Sequence, residues 1–411
     1  MTDLDRRLSE LLPATALRAA DASYLEEPRG RWQGRAAGVV APGSAEEVAA
    51  ILRLCNDTGT PVIPYGGGTG LVGGQLTEDG PAPLILSLER MRAIRSFDAE
   101  AGTMVVEAGA ILADIHTAAE AQGWMFPLTL ASQGSARIGG LLATNAGGVN
   151  VIRYGNARDL TLGIEAVLPD GSVMQTATPL RKNNMGYDLR HLLIGAEGTL
   201  GVITAAALRL HPKPARTGAA LMVVASPEAA LALLRLAQRR IGDAISAFEL
   251  IGKQGLLFLD EVGPETRQPF AERPEWMCLI DLGMGAEGDP ETALMTLFEN
   301  AAEDGLVTDG VIAQSEGQRA EFWALRENIP AANRRIGAVS SHDTSVPVAR
   351  IPEFIARAPE RIGAIDSFRL NCFGHLGDGN LHYNVFPMPG RSRADHDHQR
   401  SAIKRAVHDL T

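Results

Sequence analysis

Six glycines lie within the nine residues from Gly66 to Gly74, directly after an apolar run that ends at Tyr65. Glycine has no Cβ and adopts positive φ readily, so this segment can bring several backbone N–H groups close to one charged group. The segment is therefore predicted to be a cradle for a phosphate or pyrophosphate.

The spacing Gly68-x-Gly70-x-x-Gly73 matches, as a string, the dinucleotide fingerprint of Rossmann folds. That fingerprint must open a helix, whereas Gly80 and Pro81 follow within the next turns and prevent one. A P-loop is excluded as well, because no glycine is followed by Lys-Ser or Lys-Thr. The cradle is predicted to be a loop between two strands, and NAD is not expected as the electron acceptor.

The chain has 411 residues, which suggests two or three domains. Its 45% hydrophobic content excludes intrinsic disorder, and no apolar run approaches the roughly 18 residues of a membrane span. The net charge of −11, without a basic cluster, argues against a nucleic-acid partner. Three widely spaced cysteines indicate reduced thiols and a cytoplasmic location.

Hydrophobic periodicity predicts alternating strands and helices in the first half of the chain. Residues 38–64 form a β-α-β pattern whose helix begins after the N-cap Ser44, with Glu47 placed for a capping box. Further strands are predicted at 84–88, 103–107, 161–168 and 200–210, and a helix at 112–122.

The doubled proline of His211-Pro-Lys-Pro214 is the best linker candidate. Beyond it the pattern predicts a second α+β domain. Its strands are predicted at 220–225, 244–250, 277–282 and within 367–386, and its helices after Ser226, at 290–303, at 318–336 and at 401–410.

Two further glycine-rich segments lie at residues 138–148 and 195–203. Any one of them is explained by a tight turn or close helix packing. Three such segments within 140 residues favour instead a long ligand, with phosphates at one end and a flat ring system at the other.

A second candidate site is the segment from His375 to His382, in which Gly-Asp-Gly-Asn is predicted to be a four-residue hairpin loop. This register would pair His375 with His382 and place Asn384 on the same face, so that both imidazoles could bind one metal ion. The alternative is a pair of solvated or core histidines. Asp378 and Asn380 are predicted to set the turn.

Arg326 follows Phe322 by four residues, at the margin of an apolar helix face. Its guanidinium could bind a substrate carboxylate, or it could be solvated or pair with a glutamate, and the pattern alone does not decide between them. His396 and His398 are predicted to lie in a solvated polar loop.

The strings PYGGGTGLVGG, IGGLLATNAGGVNVIRYG, GIEAVLPDG and GAEGTLGVIT resemble the flavin-binding domain of the vanillyl-alcohol-oxidase / p-cresol-methylhydroxylase (PCMH) superfamily. NCFGHLGDGNLHYNV is similar to its D-2-hydroxyacid dehydrogenase branch, which includes D-lactate, glycolate and D-2-hydroxyglutarate dehydrogenases. The resemblance covers residues 35–386.

The resemblance implies an α+β fold: a two-subdomain PCMH-type FAD-binding domain and an α+β cap domain with an antiparallel sheet. The corresponding boundaries are an N-terminal helical segment at 1–34, the FAD-binding domain at 35–213 and the substrate or cap domain at 214–386. A C-terminal helical segment begins at 387–411 and is expected to be truncated.

Carried over onto this sequence, the resemblance implies non-covalent FAD bound by four groups of residues. The pyrophosphate loop would be Tyr65, Gly66, Gly67, Gly68, Thr69, Gly70, Gly73, Gly74 and Gln75. The flavin and ribityl segment would include Pro127, Thr129, Ser132, Gly134, Ser135, Ile138 and Gly139. The second cradle would be Asn145, Gly147 and Gly148, and the adenine side Glu197, Gly198 and Ile203.

The resemblance further implies that His375 and His382 hold a divalent metal, usually Zn²⁺, that binds the substrate, and that Arg326 contacts its carboxylate. In the family a third ligand and the base come from a later Glu-His-Gly, which does not occur in these 411 residues. Many relatives also carry a lysine where this chain has Ser341, which weakens a dicarboxylate assignment. The implied catalytic residues are Arg326, His375, His382 and Asn384.

The expected function is oxidation of a D-2-hydroxyacid to the 2-oxoacid, with electrons passed to an acceptor protein or quinone. Two alternatives stay open: a flavin-binding but catalytically silent protein or subunit, and a metal-independent flavoprotein with another substrate. The sequence leaves the oligomeric state open, a homodimer included.

Overall fold

The computed structural model describes residues 2–411. The chain divides into two compact units, of which the first comprises residues up to Gly148 together with Tyr154–Lys213. The second comprises Val149–Arg153 and Pro214–Thr411. Within residues 2–411, no helix combines the length and the apolar character needed to cross a membrane.

The first unit contains a four-stranded sheet, a five-stranded antiparallel sheet and a two-stranded pair, with strand orders β1-β2-β4-β3, β5-β6-β10-β8-β9 and β11-β7. The strands are β1 Leu17–Arg18, β2 Gly38–Val40, β3 Val62–Tyr65, β4 Leu84–Ser87, β5 Ile94–Asp98, β6 Thr103–Glu107, β7 Trp124–Met125, β8 Thr161–Val167, β9 Val173–Gln175, β10 Val202–Arg209 and β11 His211–Pro212. The helices are α1 Asp3–Leu11, α2 Ala22–Leu25, α3 Ala45–Thr58, α4 Leu112–Glu120, α5 Ile138–Ala143, α6 Val151–Tyr154, which crosses into the second unit, and α7 Arg190–Leu193.

Helix α3 shows how the sequence sets the local structure of the first sheet. Its apolar side is buried against β2 and β4, which are parallel, and β4 lies between β2 and β3. The Ser44 hydroxyl caps the Glu47 amide, and Gly59 ends the helix in the left-handed region at φ 63°. The predicted capping box is not formed, because the Glu47 carboxylate accepts from the Gly43 N–H at 2.7 Å instead.

The glycine-rich segment connects β3 directly to β4 without a helix. The prediction of a loop between strands is therefore confirmed, and the dinucleotide fingerprint is a coincidence of spacing.

The second unit is built on a seven-stranded antiparallel sheet of order β15-β12-β14-β13-β17-β18-β16. Its strands are β12 Arg216–Val224, β13 Ile245–Gly252, β14 Trp276–Met284, β15 Val307–Ile312, β16 Ser340–Ser345, β17 Arg369–His375 and β18 Asn380–Phe386. Its helices are α8 Pro227–Arg240, α9 Lys253–Val262, α10 Pro290–Glu303, α11 Glu316–Ile336, α12 Ile351–Gly363 and α13 Arg400–His408.

Helices cover both faces of this sheet. Helices α8, α10, α12 and α13 bury apolar side chains against one face, and α9 and α11 cover the other. Both layers depend on the period-2 alternation of the strands, in which successive side chains point to opposite faces. The overall fold is thus mixed α+β with mostly antiparallel sheets, as expected.

His342 on β16 is a buried histidine on the side of the sheet covered by α13. It is 5% exposed, and its ring meets the His408 ring edge-on at 5.5 Å between centroids. Burial, together with the nearby His408 and Lys404, lowers the pKa of His342 to about 4.

This burial predicts a specific loss of stability in acid. The folded pKa of His342 lies below the unfolded value, so its contribution is complete above about pH 6.5 and is lost as the pH falls toward 4. Relative to His342→Phe, the free energy of unfolding of the wild type should fall by about 2 kcal/mol between pH 7.5 and 5. Denaturant titrations at both pH values measure this difference, and replacing the exposed His398 provides the control. Parallel pH curves for His342→Phe and wild type would contradict it.

Candidate functional site

The glycine loop of the first unit is closely packed against its own unit. An added Cβ at Gly67 would overlap the Ser135 carbonyl oxygen, and one at Gly66 would lie 3.2 Å from the Gly140 Cα. Gly68 has a φ of 67°, which other residues rarely adopt. Sterics therefore require glycine at Gly67 and Gly68, and at Gly66 a larger residue would need a small shift of the neighbouring backbone.

The loop also presents unused donors. Among the described residues, no hydrogen bond uses the backbone N–H groups of Gly67, Gly68, Thr69 and Gly70. Successive free N–H groups on a backbone without side chains are the donor set that a pyrophosphate needs. The residues present thus fit the phosphate end of FAD.

The other predicted FAD segments meet this loop within the first unit. The Glu197 carboxylate lies 3.4 Å from the ideal Cβ position of Gly74, and the backbone N–H of Glu197 donates to the Ala143 carbonyl. An added Cβ at Gly148 would overlap the Thr129 carbonyl oxygen. The structure therefore brings together the four segments that the sequence singled out: 65–75, 127–139, 145–148 and 195–203.

Several predicted FAD residues have structural roles of their own. Ile138 and Ile203 are buried in the core against the five-stranded sheet, so only their backbone can face a ligand. Gly139 allows α5 to approach Ala108, because an added Cβ would lie 2.7 Å from the Ala108 Cβ. The tight-packing interpretation therefore accounts for Gly139 without a ligand.

Asn145 and Glu197 are the non-glycine residues with positive φ in the described chain, at 49° and 51°. Such backbone conformations are uncommon and cluster at functional sites. Asn145 accepts from the Arg158 N–H through its side chain at 3.0 Å, which holds the turn. Both residues lie in segments predicted to contact FAD.

In the second unit the histidine hairpin forms with a different register from the predicted one. His375 pairs with Asn380, and His382 pairs with Phe373, so the loop is 376–379 rather than 377–380. Gly379 takes φ 88°, and the Asn380 N–H donates to the Asp378 carboxylate at 3.0 Å, which places Asn380 in the strand. The prediction that His375 lies directly opposite His382 is wrong.

The observed partner of His375, Asn380, lies two residues from the predicted partner, His382. Since side chains two residues apart in a strand point to the same face, both histidines still lie on one face. They are diagonal neighbours with ring centroids 5.2 Å apart. Asn384 shares this face, is 7% exposed and pairs with Asn371 on β17.

A fully buried carboxylate on the neighbouring strand organises this face. Glu249 on β13 is 0% exposed and lies beside His375 in the ladder. Its two oxygens accept from His375 Nδ1 at 2.5 Å and from Arg326 Nε at 2.6 Å. One carboxylate thus fixes both an imidazole and a guanidinium.

Arg326 comes from α11, whose apolar side packs over the same face, and its guanidinium lies over the Phe373 ring at 5.1 Å. The residue is 6% exposed and forms an ion pair with Glu249, which leaves its substrate role a prediction. Its buried Nη2 has no hydrogen-bond partner within residues 2–411. An unpaired buried guanidinium N–H is costly unless a ligand accepts from it.

The charged side chains of this cluster shift one another's pKa values. Burial by itself would raise the pKa of Glu249, but the Arg326 guanidinium and the His375 imidazole outweigh it and hold that pKa at about 2. Burial opposes protonation of His375, yet the Glu249 carboxylate raises the His375 pKa above its usual value. Glu249 is therefore ionised, and His375 Nδ1 carries the proton between them.

His382 is oriented in a similar way by the other neighbouring strand. Its Nδ1 lies 3.3 Å from the Asp343 carboxylate on β16, which also accepts from the Asn380 side-chain amide at 2.7 Å. With Nδ1 hydrogen-bonded to Glu249 in His375 and near Asp343 in His382, Nε2 is the nitrogen through which each histidine can bind something else.

The two imidazoles suit two positions of a metal site, but they do not complete one. In the part of the chain that the structure describes, no group of three His, Cys, Asp or Glu side chains is arranged to hold an ion.

The prediction of a solvated loop is wrong for His396, which is fully buried with its Nδ1 2.7 Å from the Gln399 side-chain oxygen. His398 is exposed, as predicted.

Sequence reasoning missed Glu249. A signal was available, since it is the only charged residue in the apolar strand Ile245–Gly252. Its partners, however, lie 77 and 126 residues away in the chain, and only the strand order brings them to it.

Known proteins match both units. Residues 36–177 match the family model of the FAD binding domain, and residues 213–408 match that of the C-terminal domain of FAD linked oxidases. The chain is 38% identical over 392 residues to a D-2-hydroxyglutarate dehydrogenase of Xanthomonas citri pv. viticola, covering 94% of this chain and 81% of that protein.

Two other relatives have longer chains. A probable mitochondrial D-2-hydroxyglutarate dehydrogenase of Oryza sativa subsp. indica is 38% identical, with 87% of this chain and 63% of the relative covered. A putative mitochondrial D-lactate dehydrogenase of Schizosaccharomyces pombe is 33% identical, with 86% and 69% covered. The chain thus spans less than two thirds of the rice protein's length.

Among solved structures, p-cresol methylhydroxylase with substrate bound has a TM-score of 0.74 at 13% identity, covering 99% of this chain and 86% of that one. At that identity the likeness concerns the fold alone. It agrees with the predicted PCMH-type architecture.

Proposed function

Because the chain belongs to the family of FAD-linked oxidases that includes the D-2-hydroxyglutarate dehydrogenases, we propose that it oxidises a D-2-hydroxyacid to the 2-oxoacid. The observation that carries this proposal is the cluster in which buried Glu249 holds Arg326 and His375 side by side. A guanidinium and an imidazole on one face suit the two ends of a 2-hydroxycarboxylate.

Arg326 would bind the substrate carboxylate. Its Nε is already used by Glu249, so the N–H groups of its outer nitrogens, including the unpaired Nη2, are those left for a carboxylate. Glu249 prevents the guanidinium from rotating, so little conformational freedom is lost when substrate binds.

The histidine pair would receive the hydroxyl end. Oxidation removes a hydride from C2 and a proton from the hydroxyl, and bound FAD supplies the two-electron acceptor for the hydride. In the neutral imidazole, with Nδ1 of His375 donating to Glu249, the Nε2 lone pair would either accept the hydroxyl proton or bind the metal ion proposed below. Asn384, on the same face, would help to orient the substrate.

We further propose that His375 and His382 are two ligands of a divalent metal, with Zn²⁺ the expected ion. The support is their shared face and the carboxylate behind each ring, an arrangement typical of metal-binding histidines. Zinc takes three or more protein ligands, so this pair accounts for part of a site.

Metal analysis of the purified protein tests this assignment. Wild type should retain zinc or another divalent metal, and His382→Ala should lower the content by at least tenfold, because one remaining imidazole binds such an ion weakly. His398→Ala, on an exposed histidine, serves as the control. Equal metal content in wild type and His382→Ala would remove the metal assignment and leave His375 Nε2 as the acceptor of the hydroxyl proton.

The charge of the substrate's far end is a separate part of the proposal. Ser341, where the family resemblance implies a lysine in many relatives, pairs with Asn384 across β16 and β18. A serine offers no charge to a second carboxylate, which favours substrates with one carboxylate such as D-lactate. The names of the relatives include both substrate classes, so both must be tested.

Reduction of the bound flavin without oxygen is the test of the proposed function. D-lactate, D-2-hydroxyglutarate or glycolate should bleach the FAD absorbance near 450 nm, and the L-isomers of the first two should not. Arg326→Lys should raise the apparent substrate Kd by about tenfold or more through loss of the planar guanidinium, whereas the exposed Arg334→Lys on the same helix should leave it unchanged.

The same experiment addresses the electron acceptor. The reduced flavin should be reoxidised by a quinone analogue or an acceptor protein and not by NAD⁺, because the glycine loop lacks the helix of a dinucleotide-binding fold. A flavin that none of the three hydroxyacids bleaches would contradict the proposal and favour the catalytically silent alternative.

A further inference from the structure

Residues 21–34, here called the N-terminal arm, lie outside the two ranges that match family models. None of the residues in the proposed function comes from this arm. Within the first unit, however, it contacts the glycine loop at two points, through Tyr65, whose hydroxyl packs against Gly68, and directly at Gly73.

The first contact is made through Tyr65, the last residue of β3. Its ring is 7% exposed and meets the Tyr24 ring edge-on at 5.3 Å between centroids. Its hydroxyl donates to the Ser23 carbonyl in the arm at 2.6 Å. An added Cβ at Gly68 would overlap this hydroxyl, so the position of the hydroxyl limits where the loop can run.

Tyr24 is itself tied to the rest of the first unit. Its hydroxyl donates to Glu89 Oε2 at 2.8 Å, and Arg18 Nε donates to Glu89 Oε1 at 2.6 Å. Glu89 follows β4, the strand to which the glycine loop leads. The arm is thus fixed both at Tyr65, before the loop, and at Glu89, after the strand to which the loop leads.

The second contact is the Trp32 indole, which lies 3.2 Å from the ideal Cβ position of Gly73. A turn inside the arm presents the indole, since the Glu27 N–H donates to the Trp32 carbonyl at 3.2 Å. The Glu27 carboxylate, 2% exposed, accepts from the backbone N–H groups of Arg29 and Arg31 within that turn.

We propose that the N-terminal arm is a positioning element for FAD, holding the glycine loop in the shape that receives the pyrophosphate. A loop with six glycines has many accessible backbone conformations, and only a fraction of them present the N–H groups together. Restricting the loop beforehand raises affinity, because the observed Kd is the intrinsic one divided by the fraction in the competent shape. Tyr65 and Trp32 are the positioning residues.

The release of FAD from the purified holoprotein tests this role directly. Tyr65→Phe removes only the hydroxyl, so every backbone contact to FAD is kept while the bond to Ser23 is lost. We expect the Kd for FAD, followed by the recovery of flavin fluorescence on dilution, to rise about fivefold, the effect of one ordinary hydrogen bond. Tyr187→Phe, on a tyrosine that is 93% exposed, is the matched control and should not change the Kd.

Trp32→Ala provides a second, independent variant. It should raise the Kd for FAD by at least as much and increase hydrogen exchange of the amides of Gly66–Gln75, while the far-UV circular dichroism stays that of the wild type. If Trp32→Ala does not fold, Trp32→Phe, which keeps an aromatic ring of smaller area, should show the same effects to a smaller degree.

Kd values within twofold of wild type for both Tyr65→Phe and a Trp32 variant, with unchanged exchange in the loop, would overturn the proposal. So would an increase in Tyr187→Phe equal to that in Tyr65→Phe. No substrate is needed for these measurements, so their outcome is independent of whether a D-2-hydroxyacid proves to be the substrate.

Discussion

The Glu249 carboxylate is the interaction on which the candidate substrate site depends. A buried ion costs several kcal/mol of desolvation, and here an ion pair with Arg326 and a hydrogen bond from His375 offset that cost. Each partner is in turn fixed by the carboxylate, one for each end of the proposed 2-hydroxycarboxylate substrate. Removing Glu249 would leave a buried guanidinium without its counter-ion and an imidazole free to rotate.

The seven-stranded sheet is what brings these groups together. β13 supplies Glu249, β17 and β18 supply the histidines, and β16 supplies the carboxylate behind His382. Helix α11 lies across the same face and delivers Arg326. Polar side chains on this face sit among apolar ones, so their hydrogen bonds must be satisfied within the cluster or by a ligand. The free Arg326 Nη2 is the group left for the ligand.

Local sequence patterns predicted the FAD side of the molecule better than the substrate side. The glycine loop, its lack of a following helix and the α+β class were all readable, because turn chemistry and periodicity act over a few residues. The hairpin was placed with a loop of the right length but shifted by one residue, since Gly379 and Asp378 favour the turn one step earlier than the pattern suggested. Glu249 was missed because its role arises from strand order, which no local pattern records. The domain boundaries, the FAD contacts and the cytoplasmic location stay predictions.

The role of Glu249 in organising the substrate site is tested most directly by the rate of flavin reduction by substrate in Glu249→Gln, measured by anaerobic stopped flow. An amide of the same shape cannot accept from both partners as a charged carboxylate does. We expect an apparent substrate Kd at least tenfold higher and a slower reduction at saturation, with FAD retained. Glu261→Gln, in a surface pair with Arg369, should behave as wild type. Reduction by Glu249→Gln with a Kd and rate within twofold of wild type would show that Glu249 does not organise the substrate site.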